Sequence, residues 1–186
     1  MLSGVQRAQF DRDGFLAMRG LFSAHEVDDI RSTFMAAAKD GPVPGLSDVP
    51  KAREGAPAVS IDPLSFYPRM LSPHKHVDKP VGRLAMRYMR DARLRPILAE
   101  LFAEEPFACS SMFYFKPPGA RGQDLHQDNF YLRVKPGTCM AAWIAVDDAD
   151  EGNYQFRIKG TGACPAYSFS VSPLSGPVGT QVTLTS

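Results

Sequence analysis

Cysteine is scarce in this sequence, and its placement excludes two common uses of the residue. The 186 residues contain three cysteines, Cys109, Cys139 and Cys164, which are far apart and odd in number. Such spacing supports neither a disulfide framework nor a zinc site. Because disulfides are rare in reducing compartments, the cysteine content favours a cytoplasmic location.

Long apolar runs and an excess of charge of one sign are missing too. The longest uninterrupted apolar stretch, residues 139 to 146 (CMAAWIAV), is far shorter than the roughly 20 residues that a membrane helix requires. The polar beginning, MLSGVQRAQFDRDGF, has no apolar centre of a signal peptide. With a net charge of +1, we expect no nucleic-acid partner and no membrane partner, while the oligomeric state stays open.

The first part of the chain has helical patterns separated by short breaks. Residues 3 to 13 are predicted to form a helix, followed by a short strand and turn over residues 14 to 22. Ser23 and Glu26 have the spacing of a capping box, which predicts the start of an amphipathic helix over residues 24 to 39.

Helical spacing returns after a Gly- and Pro-rich loop, which is predicted over residues 41 to 57. Val81, Leu84 and Tyr88 recur at the period of a helix. Asp91 is the predicted N-cap of the next helix.

From position 107 the pattern changes to that of β-strands. Three strands are predicted, over residues 107 to 116, 125 to 134 and 138 to 148, with Pro- and Gly-containing connections between them. Helices followed by antiparallel strands favour an α+β fold with a mainly β core.

The second predicted strand contains a pair of residues that can bind a metal ion. His126 and Asp128 are two positions apart, so both side chains would lie on the same face of a strand. An imidazole and a carboxylate suit Fe(II), where two histidines and one carboxylate occupy one face of an octahedron. Zn(II) or Mn(II) could use the same two ligands, and an ordinary surface His and Asp would show the same spacing.

The surroundings of this pair resemble a known family. MFYFKPPGARGQDLHQDNFYL, followed by KPGTCMAAWIAVDDADEGN, resembles the phytanoyl-CoA dioxygenase family of Fe(II)- and 2-oxoglutarate-dependent oxygenases. The resemblance covers about residues 5 to 153. It implies a double-stranded β-helix (jelly roll) with N-terminal helices packed on one face, and hydroxylation of a small molecule or an acyl thioester.

The resemblance also implies roles for individual residues. His126 and Asp128 would be iron ligands, and Met112 and Trp143 would line the 2-oxoglutarate pocket. Lys116 would supply positive charge near an anionic group. The alternative for Met112 and Trp143 is core packing, and for Lys116 a solvated position at the end of a strand.

Histidine is missing where the resemblance requires it. The family's iron site uses a second histidine downstream, followed by an arginine for 2-oxoglutarate, but the four histidines are His25, His74, His76 and His126. The jelly roll is therefore predicted to be incomplete, and the oxygenase truncated and impaired. One alternative is a non-catalytic remnant or binding module. Another is a different metal-dependent β-barrel enzyme that uses His74 or His76 as a further ligand.

The composition changes near the C-terminal end. The segment YSFSVSPLSGPVGTQVTLTS resembles the start of an immunoglobulin-like IPT/TIG domain. Two regions are therefore predicted: residues 1 to 152 as the N-terminal part of a dioxygenase-like domain, and residues 153 to 186 as an unrelated β-rich tail.

Overall fold

The computed structural model describes residues 1–48, 69–115, 126, 128–135 and 137–147, and the backbone of 181–185. These residues form a mixed helix and strand structure with open sheets. The chain divides into two compact units, and the division falls inside the second helix. Unit 1 contains residues 1–29, 92–106 and 125–186, and unit 2 contains residues 30–91 and 107–124.

The N-terminal elements follow the sequence prediction closely. Helix α1 (Gly4–Asp13) begins after a capping box formed by Ser3 and Gln6, and strand β1 (Phe15–Arg19) follows it. Helix α2 (Ala24–Ala38) begins at the predicted capping box. The backbone N–H of Glu26 donates to the Ser23 hydroxyl at 3.3 Å, and the Ser23 N–H donates to the Glu26 carboxylate at 2.9 Å.

Unit 1 also contains helix α4 (Leu94–Phe102), helix α5 (Asp128–Leu132) and strands β4 (Ala141–Ile144) and β5 (Gln181–Thr185). Strand β5 lies between β1 and β4 and is antiparallel to both. Arg7 of α1 donates to the Glu100 carbonyl of α4 at 2.7 Å, which joins these two helices. The buried hydrophobic residues of this unit are Phe10, Leu16, Phe22, Val27, Leu94, Ile97, Leu101 and Ala145.

Unit 2 contains strand β2 (Arg69–Leu71), a 3₁₀ helix (Pro73–Lys75), helix α3 (Pro80–Met89) and strand β3 (Met112–Tyr114). Strands β2 and β3 pair in an antiparallel ladder. The Phe34 and Phe113 rings stack with centroids 4.0 Å apart. The buried hydrophobic residues are Ile30, Phe34, Leu46, Met70, Val81 and Tyr88.

Several predicted elements differ from the structure. The strand predicted over residues 125 to 134 is wrong, because residues 128 to 132 form the short helix α5. Asp91 does not cap α4, which begins after Arg93. The backbone N–H of Asp91 instead donates to the Tyr88 carbonyl, so Asp91 belongs to the end of α3. The other two predicted strands are present as the shorter β3 and β4.

Among the described helices, none is both long enough and apolar enough to cross a lipid bilayer.

Candidate functional site

His126 and Asp128 converge although they do not lie on a strand. His126 precedes α5, and Asp128 is its first residue. The imidazole Nε2 lies 3.4 Å from Asp128 Oδ1. This separation is longer than the roughly 2.9 Å of an N–H···O hydrogen bond. Two atoms that bind one metal ion at about 2.1 Å and at a right angle lie about 3 Å apart. The 3.4 Å separation is wider than this and also lies within the range of a His–Asp ion pair, so it brings the two side chains together without selecting a metal ion.

Asn129 holds the C-terminal end of the short helix that begins at Asp128. The Asn129 side-chain oxygen accepts a hydrogen bond from the Val134 N–H at 2.8 Å, and the Asn129 carbonyl accepts one from the Arg133 N–H at 3.0 Å. Arg133 has a φ of 52°, in the left-handed region. The side chain of Asn129 thus holds the chain where it leaves α5. The sequence prediction missed this role because the run was read as a strand.

An aromatic side chain lies against the imidazole. The Tyr131 ring contacts the His126 ring edge to face, with centroids 5.8 Å apart. Phe130 in turn contacts Tyr131 at 5.2 Å, and both aromatic residues are largely exposed. His126 and Asp128 therefore lie beside an exposed aromatic surface.

The other predicted site residues lie on other parts of the chain. Met112 lies on β3 in unit 2, is 42% exposed, and its sulfur accepts a hydrogen bond from the Tyr114 hydroxyl at 3.2 Å. Trp143 lies on β4 in unit 1 and is half-buried. Lys116 lies outside the described residues. The predicted roles of these three residues in binding 2-oxoglutarate stay predictions.

The histidines considered as alternative ligands lie in unit 2. His74, in the 3₁₀ helix, is buried, and its Nδ1 lies 2.7 Å from the Ser111 hydroxyl. Burial, together with the charge of Lys75, lowers the pKa of His74. His76 ends the 3₁₀ helix. In the part of the chain that the structure describes, no three His, Cys, Asp or Glu side chains lie close enough to hold a metal ion.

Comparisons with known proteins bear on the family. The profile of the phytanoyl-CoA dioxygenase (PhyH) family matches residues 10–155. Phytanoyl-CoA dioxygenase 1 of Oryza sativa subsp. japonica is 27% identical over 175 residues, which is 82% of this chain and 62% of the rice protein. Phytanoyl-CoA dioxygenase of Arabidopsis thaliana is 29% identical over 85 residues, which is 44% of this chain and 30% of that protein.

A third relative extends the comparison to an animal. The phytanoyl-CoA dioxygenase domain-containing protein 1 homolog of Caenorhabditis elegans is 24% identical over 173 residues, or 79% of this chain and 60% of that protein. The chain thus spans less than two thirds of each of these relatives. No solved structure matches it significantly. Because the family profile covers most of the chain, including His126 and Asp128, the chain belongs to the phytanoyl-CoA dioxygenase (PhyH) family.

Proposed function

We propose that this chain is a dioxygenase-type protein in which His126 and Asp128 are two protein ligands of Fe(II). The observation that carries the proposal is the 3.4 Å separation of His126 Nε2 and Asp128 Oδ1, inside the region that matches the family profile. When bound, Fe(II) and 2-oxoglutarate would supply the oxidising chemistry that hydroxylates a C–H bond of a small molecule or an acyl thioester. The proposal includes the jelly-roll core, left incomplete, and a cytoplasmic location.

The donor set fits Fe(II) in part. An imidazole nitrogen without a proton and a carboxylate oxygen both offer lone pairs that can bind a cation between them. The Tyr131 ring contacts the His126 ring, and Asn129 fixes the end of the helix that begins at Asp128. For 2-oxoglutarate we propose contacts with Met112, Trp143 and Lys116.

We further propose that catalysis by this chain is impaired. The sequence has no histidine after His126, and its last arginine, Arg157, follows the AWIAV segment too soon to match the arginine of the family's 2-oxoglutarate site. A metal ion held by two protein ligands binds more weakly than one held by three. The second candidate is accordingly a non-catalytic remnant or binding module that keeps a weak metal site.

Equilibrium dialysis against Fe(II) without oxygen tests the ligand assignment. We expect wild-type protein to bind one Fe(II) weakly, and His126→Ala and Asp128→Ala each to lower the affinity by roughly 10-fold or more. His25→Ala is the matched control, because His25 is exposed on α2 and removing it should leave the affinity unchanged. Equal Fe(II) affinity in all four proteins would refute the assignment.

A further inference from the structure

A groove in unit 2 gathers positive charge that the proposed oxygenase chemistry does not use. Thr33 of α2 and Pro80, Arg83, Leu84 and Arg87 of α3 line an open groove of about 310 Å³. Cavities of roughly 300–1,000 Å³ are typical of small-molecule sites. The groove therefore has the size of a site for a small ligand.

The basic residues of α3 and of its two cap positions follow one stripe. Residues 79 to 90 contain four basic side chains and no acidic one, although the net charge of the whole chain is only +1. Lys79, Arg83, Arg87 and Arg90 follow one another at intervals of four, four and three residues, which places them along one face of a helix. Lys79 forms an ion pair with Asp78 at 3.0 Å. The two arginines that line the groove are the middle members of this stripe.

The charge of these two arginines is not balanced by the described protein groups. Among the described residues, no carboxylate forms an ion pair with Arg83 or Arg87. Like charges four residues apart destabilise a helix, and a cation near the N-terminal end of α3 opposes the helix dipole. An anion bound between the two guanidinium groups would offset both effects.

The guanidinium group of Arg83 is held in place by the backbone. Its Nη1 donates to the Val77 carbonyl at 3.2 Å and to the Asp78 carbonyl at 3.0 Å. A guanidinium with a fixed orientation loses less entropy when it binds an oxyanion, and its planar fork matches phosphate. Arg83 is therefore preorganised for a phosphate group, and Thr33, a residue with a hydroxyl group, lines the same groove.

The remaining lining residues narrow the chemistry of the ligand. Leu84 and Pro80 offer apolar surface beside the arginines. We propose that this groove binds an organic phosphate, with the phosphate on Arg83 and Arg87 and the organic part against Leu84. The volume of about 310 Å³ suits a small molecule, and binding to an anionic bilayer is the competing outcome that the test below separates.

Isothermal titration calorimetry with phenyl phosphate tests the proposal on the full chain. We expect saturable binding that weakens at high salt, and weaker binding of inorganic phosphate, which has no organic part. The Arg83→Gln/Arg87→Gln variant should lose roughly tenfold or more in affinity for phenyl phosphate. Arg12→Gln/Arg95→Gln is the matched control, because it removes two exposed arginines outside the groove and should bind as wild type does.

Two further variants keep the result interpretable if the double variant folds poorly. Arg87→Gln leaves the backbone contacts of Arg83 intact and should still lower the affinity for phenyl phosphate. Arg83→Lys keeps the positive charge and should retain part of the wild-type affinity. Equal binding by the groove variants and the control pair would overturn the proposal. So would a wild-type protein that does not bind phenyl phosphate, including one that instead binds vesicles of anionic phosphatidylserine.

Discussion

At the scale of single residues, Gly82 shows how tightly the start of α3 packs against the preceding turn. A Cβ at this position would clash with the His76 carbonyl group and would come within 2.8 Å of the Pro73 carbonyl oxygen. These contacts are with backbone atoms, which cannot move aside as the end of a flexible side chain can. Gly82 is therefore required because there is no space for a side chain. Its backbone conformation does not require glycine, since the residue lies inside a helix.

Gly82→Ala should destabilise the protein by about 1–3 kcal/mol because of this overpacking. The sign of this change in stability is informative, since a Gly-to-Ala substitution inside a helix normally stabilises by about 1 kcal/mol. Urea unfolding followed by circular dichroism measures the difference. Gly4→Ala in α1 is the matched control, because a Cβ there meets no atom within 4 Å. A stability of Gly82→Ala equal to or above that of wild type would contradict the packing described.

His74 makes stability depend on pH. Its pKa is lowered by burial, and by the charge of Lys75, so the folded state binds a proton less readily than the unfolded state does. Between the lowered pKa and the ordinary value near 6.5, the unfolded state carries more protons, and the free energy of unfolding therefore rises with pH. His74 thus favours folding above this window and loses that contribution as the pH falls through it.

We expect His74→Gln to flatten the pH dependence of the free energy of unfolding in the window below about pH 6.5. Unfolding titrations at a series of pH values measure the slope of wild type and variant. At pH 8 the histidine of wild type is neutral in both the folded and the unfolded state. The difference in the free energy of unfolding between the two proteins at this pH therefore measures the loss of packing and of the Ser111 contact. An unchanged slope would show that His74 does not titrate as described.

At the scale of elements, Glu26 joins the start of α2 to the start of α4. Its carboxylate completes the capping box with Ser23 and also accepts from Arg93 at 2.7 and 3.1 Å. Arg93 further donates to the Leu21 carbonyl at 3.0 Å, and its guanidinium lies 4.3 Å from the centre of the Phe22 ring. The hydrogen bonds from Arg93, and then those from Ser23, lower the pKa of Glu26 to about 2.

A double-mutant cycle with Glu26→Gln and Arg93→Met should show favourable coupling at pH 7. A carboxyl group with a lowered folded pKa adds stability above its unfolded pKa of 4.5, and this contribution is lost as the pH falls toward 2. The coupling should therefore shrink steadily between pH 4.5 and pH 2. Thermal unfolding of the four proteins at each pH measures it.

The ion pair of Arg95 and Glu105 is the matched control for this cycle. It has similar distances, 2.6 and 3.0 Å, but its side chains are 70% and 58% exposed, against 37% and 20% for Arg93 and Glu26. Exposed pairs contribute little because water screens them. If the coupling of Arg95 and Glu105 is as large as that of Glu26 and Arg93, the partial burial of the Glu26–Arg93 pair adds nothing to its strength.

The same elements show why some of the fold could be predicted from the sequence. The start of α2 was predicted correctly because Ser23 and Glu26 contact each other within one turn, and a local contact has a local sequence signal. The end of α1 at Gly14 has a similar basis, since this glycine adopts a φ of 73°. Structure that depends on neighbouring residues is therefore visible in the sequence.

Other elements depend on contacts that the sequence does not display. Apolar and polar residues alternate over residues 125 to 134 as they do in a strand. However, α5 has only five residues, and over so short a run this pattern does not distinguish a strand from a helix. Its end depends on the bond from the Val134 N–H to Asn129 and on the left-handed conformation of Arg133. Strand β2 exists because it pairs with β3, about forty residues later. The closeness of His126 and Asp128 was nevertheless predictable, since it rests on their spacing and needs no strand.

At the scale of the whole molecule, family membership and local geometry together support the proposed chemistry. The family profile covers residues 10–155, which include the His126 and Asp128 pair. The segment that was predicted to be an unrelated tail contributes β5, the middle strand of the sheet in unit 1. Whether that segment has a separate origin stays a prediction. The proposed metal site is the feature through which the other proposals about activity can be tested.

Anaerobic titration with Fe(II) in the presence of 2-oxoglutarate, followed by visible absorption, tests the central claim most directly. The charge-transfer band of the Fe(II)–2-oxoglutarate complex should appear in wild-type protein only at Fe(II) concentrations well above that of the protein, and His126→Ala and Asp128→Ala should abolish it. Exposure of the wild-type sample to oxygen should then yield little succinate. A band of full intensity at one equivalent of Fe(II), or one that survives both substitutions, would contradict a weak site built on His126 and Asp128.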